Sequence, residues 1–375
     1  MLNILITGAR GQLGSSLRQL GSVSPNNYLA TDVAELDITD AGAVLQTVKE
    51  QRIDVIVNCA AYTNVERAEE DEARADLLNH KAAAYLAAAA QETGATLIHV
   101  STDYVFDGTG HRPYTEAMAT SPLGAYGRTK LAGEEAVKAS GCRYLILRTA
   151  WLYSEYGNNF LKTMLRLTSE RETLRVVFDQ VGTPTYAGDL ALAIFSLIET
   201  GRYAGNEGVY HFTDEGVCSW YDFAVEIAAA AGHGTCRIIP CHTSEYPTKA
   251  QRPAYSVLDK TRFKETFRMD IPHWREALIY CMKRLTENNP SRIPRTTCSR
   301  RGTSATWICC GRCSVSMTSM GSSTSRPKAM STARSGIRSP SRVRTSWARS
   351  RCSRRHGNTG TESGRANCST TSPPT

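Results

Sequence analysis

The sequence predicts a doubly wound parallel α/β sheet with a smaller C-terminal lobe and a disordered tail. Three observations carry that expectation. Short apolar runs alternate with helical stretches, a glycine turn follows the first run, and composition changes sharply near residue 290. Such alternation implies a parallel sheet that takes its ligands at the carboxyl ends of the strands.

Leu2–Ile6 reads as the first strand and runs into Thr7-Gly8-Ala9-Arg10-Gly11-Gln12-Leu13-Gly14. Gly8 and Gly11 let this turn approach a pyrophosphate, and Gln12 and Leu13 open the next helix. Gly14 lets that helix press on the sheet, and its N-terminus offers N–H groups and partial positive charge to phosphates. The spacing is G-x-x-G-x-x-G, not the usual dinucleotide fingerprint, so a plain strand-to-helix turn competes with the cofactor reading. Tyr28–Thr31 reads as the second strand, with Asp32 at its end, where an acid bonds ribose hydroxyls and favours NAD. Arg10 suits a 2′-phosphate and favours NADP, so both NADPH and NADH stay open. Asp37 and Ile38 fall where an adenine edge would lie, although loop polarity accounts for Asp37 equally well.

Ile53–Val57 is the third strand and leads into Asn58-Cys59-Ala60-Ala61-Tyr62-Thr63. Small Ala60 and Ala61, with Tyr62 beside them, give a cofactor a surface to lie along. Glu66 to Thr93 carries one long helical pattern. Thr96–Val100 and Arg143–Leu147 are the fourth and fifth strands, and Thr7, Asn58 and Thr102 are expected at the ligand edge of the sheet.

The chemistry sits at Ser101-Thr102-Asp103-Tyr104 and, two dozen residues on, at Tyr126-Gly-Arg-Thr-Lys130. A ketone reduced by hydride needs a proton for its developing alkoxide. On a helix Tyr126 and Lys130 share a face, so the ammonium is expected to lower the phenol's pKa and make it a proton donor. Thr102 at a strand end can donate to the same carbonyl oxygen. An isolated Tyr-x-x-x-Lys is more often a solvated helical face. In this order behind a glycine turn, the motifs imply a nicotinamide-dependent oxidoreductase of the short-chain type.

Composition separates the tail from the body. The 375 residues, 41% apolar, suffice for one large or two smaller domains. There is no membrane-length apolar run and no secretory signature, so a cytoplasmic protein is expected. Residues 291–375 hold 15 Arg and one Lys against one Glu, which leaves the body 28 basic and 35 acidic residues of the 44 and 36 in the chain. The +8 net charge therefore belongs to the tail. Rich in Ser and Thr and without periodicity, the tail cannot bury enough surface to order itself. Three readings compete for it: a basic nucleic-acid arm, a metal module at Cys310-Gly-Arg-Cys313, and an out-of-frame translation. No second cysteine pair follows at zinc spacing. Shifted by one base, with permissible third bases, residues 327–338 can read Glu-Ser-His-Val-Asp-Arg-Ser-Val-Arg-Asp-Pro, a string that resembles dTDP-glucose 4,6-dehydratases. The tail is taken as non-functional and frameshifted, and no nucleic-acid partner is expected. In the body, six scattered cysteines read as reduced thiols, and the His spacing suggests no metal set.

Residues 1–290 resemble the dTDP-4-dehydrorhamnose reductases, extended short-chain dehydrogenases/reductases on a Rossmann sheet. The resemblance covers Thr7–Gly14, Asn58–Thr63, Ser101–Phe106, Ser121-Pro122-Leu123, Tyr126–Lys130, Arg148-Thr149-Ala150-Trp151, Gly157–Phe160, Asp179–Thr185 and Arg252-Pro253. It implies reduction of the 4-keto group of dTDP-4-dehydro-L-rhamnose to dTDP-L-rhamnose by NADPH or NADH. Thr102, Tyr126 and Lys130 would form the catalytic set, and Asp103 and Trp151 would touch the sugar. Arg252 is placed to grip a diphosphate, whereas Asp179 and Gln180 are expected to organise a turn. Residues 1–150 would be the dinucleotide-binding part, completed by parts of 181–204 and 276–290, and 151–290 mainly the sugar-nucleotide lobe. Some relatives hold a Mg²⁺ between subunits with a glutamate after the glycine turn. Ser15-Ser16 stands there, which speaks against a metal-bridged dimer and leaves monomer or homodimer open.

Two other readings remain. Another extended-family epimerase or reductase would use the same Tyr/Lys pair, whereas a 4,6-dehydratase lacks its acid because Asp103-Tyr104 replaces Asp-Glu. A non-catalytic regulatory subunit of the methionine adenosyltransferase type resembles the same family, but the intact Thr102, Tyr126 and Lys130 favour catalysis.

Overall fold

The structure, a computed structural model, describes residues 1–288, so the reading of the tail lies outside the described residues. Strand β1 (Asn3–Thr7), helix α1 (Gln12–Gly21) and strand β2 (Asn27–Ala30) open the chain. The last four residues of β1 are buried, as a strand covered on both faces requires. Helix α2 (Ala41–Glu50) begins at Asp40, whose carboxylate accepts the Ala43 N–H at 3.0 Å. It returns the chain across β1 to β3 (Val55–Asn58).

The helical stretch after β3 is not one helix. It divides into α3 (Val65–Ala68), α4 (Glu72–Asp76), a π-helical turn (Leu77–Lys81) and α5 (Ala82–Thr93). The side chains of Asn64 and Asp71 each accept the N–H three residues on, at 3.0 Å, and so start α3 and restart the helix at α4. The alanines of α5 bring it close against the sheet. Strand β4 (Thr96–Thr102), helix α6 (Ala125–Ala139) and strand β5 (Arg143–Thr149) follow.

The lobe starts with β6 (Leu152–Tyr153), α7 (Phe160–Glu170), β7 (Thr173–Val177), β8 (Val181–Gly182) and β9 (Thr185–Tyr186). Helix α8 (Ala187–Glu199) and strand β10 (Gly208–His211) then return to the sheet. The remainder is β11 (Cys218–Ser219), α9 (Trp220–Ala231), β12 (Arg237–Cys241), α10 (Thr261–Phe267) and α11 (Trp274–Asn288).

The main sheet runs β2-β1-β3-β4-β5-β10 with every pair parallel, so its direction of winding reverses between β1 and β3. A crevice at the strand carboxyl ends is expected there. Thr7, Asn58 and Thr102 are the final residues of β1, β3 and β4, as read from the sequence. One face buries Ile4, Ile6, Leu17, Leu190, Ile194 and Phe263 from α1, α8 and α10, and the other buries Leu5, Val44, Leu86, Ala87 and Val137 from α2, α5 and α6. A third cluster holds the lobe together through Tyr153, Leu161, Phe223 and Ile227, and α11 buries Trp274, Leu278 and Cys281 in this cluster, not in those of the sheet. Asp179 and Gln180 both bond Thr243 and so tie two loops of the lobe. The six cysteines among the described residues are free thiols.

Candidate active site

A cleft of about 1340 Å³ opens at the carboxyl edge. The candidate catalytic, cofactor and substrate residues read from the sequence all line it except Gly14 and Tyr62, while Thr7 and Asn58, expected at the ligand edge, are buried and do not line it.

At its inner end Gly8 adopts φ +64°, and a Cβ there would lie 2.8 Å from the Ala60 Cα, so only glycine lets the turn rest on the end of β3. A Cβ on Gly14 would meet the Ala9 Cα at 2.7 Å, so this glycine serves helix packing and not the cleft wall. Helix α1 starts at Gly11 with no side-chain cap and no acid in its first turn, which suits an anion. Asp32 accepts the Arg10 and Val33 N–H groups, both at 2.9 Å. Asp37 accepts the Thr39 N–H at 2.9 Å and hydroxyl at 2.7 Å, and these bonds hold its carboxyl below the usual range. Tyr62 is clamped through its backbone by Asn79, which also bonds the Thr129 hydroxyl on α6.

The start of α6 is fixed from outside. Glu69 accepts the Ala125 N–H at 2.8 Å, and Glu72 takes the Arg128 guanidinium at 3.1 and 2.9 Å. Deeper in, Arg148 of β5 clasps Glu134 of α6 through two bonds of 2.8 and 2.7 Å, and Ser101 of β4 donates to the same carboxylate at 2.6 Å. All three side chains are buried. A second buried relay crosses β1, β3 and β4: Thr7 donates to Asn58 at 2.7 Å, and the Asn58 amide meets His99 Nδ1 at 3.1 Å. Burial, and then the Lys130 charge, push His99 well below its ordinary range, so it stays neutral.

Tyr126, Lys130 and Thr102 meet on this support. Lys130 is buried and donates to the Val100 carbonyl at 2.7 Å. Burial brings its pKa down to about 8, opposed by Glu134. Burial pushes the Tyr126 phenol up to about 12, partly offset by the neighbouring Thr102 hydroxyl, with Asp103 adding to the rise. The expected lowering of Tyr126 by Lys130 is therefore corrected: the ammonium is turned to Val100, and desolvation of the phenol wins. Thr102 donates to Asp103 at 3.0 Å, and burial raises the Asp103 carboxyl to about 6 against the pull of Ser256 and Thr102.

The lobe side is aromatic and basic. Trp151 sits at φ +48°, a left-handed conformation strained for a bulky residue. Its ring stacks on Trp220, with centroids 3.6 Å apart and planes 10° apart. Gly182 admits that ring, since a Cβ there would lie 2.6 Å from Trp151 Cε2. Arg252 reaches the cleft, but its Nη2 bonds Glu66 at 2.8 Å while its buried Nε lacks a hydrogen-bond partner. The other Glu66 oxygen accepts the Lys249 and Ala250 N–H groups at 2.9 and 3.3 Å.

The residues present do not suit the magnesium ion of some relatives. Ser15 and Ser16 spend their hydroxyls on the Ala9 and Gln12 carbonyls, and no metal-holding group of His, Cys, Asp or Glu occurs among the described residues. Among those residues no helix is long and apolar enough to cross a membrane. The sequence reading missed Glu35, Glu66, Asn79, Glu134 and Trp220. Only Glu134 carried a signal, as a second i, i+4 step beyond Lys130.

A doubly wound sheet with a glycine turn at its reversal point, and a Tyr/Lys pair beside a strand-end threonine, defines an oxidoreductase of the short-chain type. The family described as "RmlD substrate binding domain" matches residues 2–287, and the chain belongs to it. The chain is 44% identical over 300 residues to the dTDP-4-dehydrorhamnose reductase of Burkholderia thailandensis, covering 76% of this chain and 99% of that one. The crystal structure of a dTDP-4-dehydrorhamnose reductase from Clostridium acetobutylicum matches with a TM-score of 0.73 and 44% identity, covering 76% of this chain and 100% of the other. That of the Bacillus anthracis reductase, in complex with NADP, matches with a TM-score of 0.72 and 39% identity, again over 76% and 100%. The resemblance read from the motifs is borne out.

Proposed function

We propose that the chain reduces the 4-keto group of dTDP-4-dehydro-L-rhamnose to give dTDP-L-rhamnose, using NADPH or NADH. The observation that carries this reading is the meeting of Tyr126, Lys130 and Thr102 in the same cleft as the glycine turn, with Trp151 and Arg252 lining it as well. The uncapped start of α1, the cradle at Gly8 and Ala60, and Arg10 and Asp32 suit a dinucleotide. When bound, the reduced nicotinamide supplies the hydride.

Tyr126 gives its phenolic proton to the alkoxide that forms at O4. A phenol raised to about 12 is fully protonated at neutral pH, as a proton donor must be. Thr102, poised at the strand end, donates to the same oxygen as charge builds on it. The Lys130 ammonium, held by the Val100 carbonyl, keeps a positive charge near the phenolate left behind. Trp151 lies against the sugar ring, Asp103 accepts from a sugar hydroxyl, and Arg252 moves from Glu66 to the diphosphate.

The test is direct. The purified chain is incubated with dTDP-4-dehydro-L-rhamnose and either NADPH or NADH, with loss of nicotinamide absorbance followed and the product identified by NMR. Formation of dTDP-L-rhamnose with at least one cofactor is expected. Oxidation of neither would overturn the reading.

A further inference from the structure

Glu35 sits in the chain between the cleft-lining residues Val33 and Leu36 and has two duties. Its Oε2 accepts the Asp32 N–H at 2.9 Å, and its Oε1 pairs with the Arg10 guanidinium. Asp32 already serves two backbone N–H groups, one of them that of Arg10 itself. Glu35 thus holds the Arg10 guanidinium while Asp32 holds the Arg10 backbone N–H, at the strand end where a 2′-phosphate would lie. The Arg10 and Glu35 side chains are 60% and 45% exposed, so their pairing is weak enough to exchange.

We propose that Glu35 sets the cofactor preference by competing with the ribose 2′-phosphate for Arg10. The inference rests on the nicotinamide reading above, and Glu35 is a positioning residue that acts through Arg10. With a 2′-hydroxyl, Arg10 stays on Glu35 and Asp32 faces the ribose. With a 2′-phosphate, the guanidinium fork transfers to the phosphate, and the freed Glu35 and Asp32 then oppose it as like charges. The advantage that Arg10 would give NADPH is therefore largely cancelled, and the protein accepts both cofactors. Glu35→Gln removes the charge but keeps a carbonyl for the Asp32 N–H, so the turn survives while Arg10 is released.

The full-length chain is assayed for kcat/KM with each cofactor, and calorimetry measures binding of 2′,5′-ADP and 5′-AMP. Glu35→Gln is expected to raise the NADPH-to-NADH ratio of kcat/KM about two- to fivefold and to tighten 2′,5′-ADP by a similar factor, the scale of one exposed ion pair. Binding of 5′-AMP should move by less than about twofold, and a further Arg10→Ala change should erase the gain. Equal changes for both cofactors, or an unaltered 2′,5′-ADP affinity, overturn the inference and leave Glu35 as a shaper of the turn. A wild type that oxidises neither cofactor overturns the reductase reading and this inference with it. A wild type that oxidises both, with a ratio that Glu35→Gln does not move, overturns the inference alone.

Discussion

The reacting edge of the sheet and the two outer ends of the cleft are built differently. Thr102, Tyr126 and Lys130 stand on buried networks, in which Ser101, Glu134, Arg148, Asn58 and His99 are at most 3% exposed. The arginines at the outer ends rest instead on partly exposed carboxylates, Arg10 on Glu35 and Arg252 on Glu66. In a buried network the low dielectric makes the loss of one partner costly, so geometry is held. An exposed ion pair costs little to exchange, so a guanidinium can leave a carboxylate for a phosphate. The cleft is thus rigid around Thr102, Tyr126 and Lys130 and exchangeable at its two arginines.

The largest effect should come from breaking the rigid half. Arg148→Met leaves Glu134 buried without its main partner and should cost about 3–5 kcal/mol in urea unfolding. Arg148→Met with Glu134→Leu should recover most of that stability, because an apolar pair of similar volume suits the site. A double variant as unstable as the single one would show that the pair is not the support we describe.

Next in size is the chemical step. Tyr126→Phe should fold, bind cofactor and lose kcat by at least about 10²-fold; a rate near wild type would remove Tyr126 from the mechanism. Because Lys130 loses its proton at about pH 8, kcat/KM should fall as pH rises through that value. That limb should vanish from the residual activity of Lys130→Met.

Within the rigid half the strand-end and helix residues were legible, although Glu134 beneath them was missed. Glycine spacing, strand ends and the i, i+4 pair are local, so Thr7, Asn58, Thr102, Tyr126 and Lys130 could be placed by counting along the chain. The exchangeable pairs join residues 25 and 186 positions apart, with no periodicity to announce them. Strand β10 was missed for a similar reason, since it pairs with β5 only after the chain has traversed much of the lobe. The break in the helix after β3 could have been read, because Asn64 and Asp71 are good caps, but the apolar pattern runs on through both. The rise of the Tyr126 phenol depends on burial in three dimensions, which helix spacing does not report.

A smaller effect separates support from function at Asp103. Its carboxyl titrates at about 6 when folded against 3.8 as an ordinary aspartate, so the folded protein keeps a proton that the unfolded chain has released. Stability therefore falls as pH rises from about 4 to 6, by at most about 3 kcal/mol. Asp103→Asn should remove that loss, so its stability relative to wild type should climb across the same window in urea titrations. A difference that stays flat with pH would place the cost elsewhere.

The smallest effect belongs to the exchangeable half. Burial disfavours the Glu66 carboxylate, yet bonds from Arg252 and from the Ala250 and Lys249 N–H groups outweigh it and hold its pKa below the ordinary value. If Arg252 must leave Glu66 to reach the substrate diphosphate, part of the binding free energy is spent on that separation. Glu66→Gln keeps an acceptor for the loop N–H groups and weakens only the ionic contact, which at partly exposed sites is worth about 1 kcal/mol or less. The KM for the sugar nucleotide should then drop about two- to fivefold while kcat changes little, and Arg252→Ala should cancel the gain. A KM that stays put, or rises, would mean that Arg252 remains on Glu66 throughout, as a latch between α3 and the 249–252 loop and not as a ligand for phosphate.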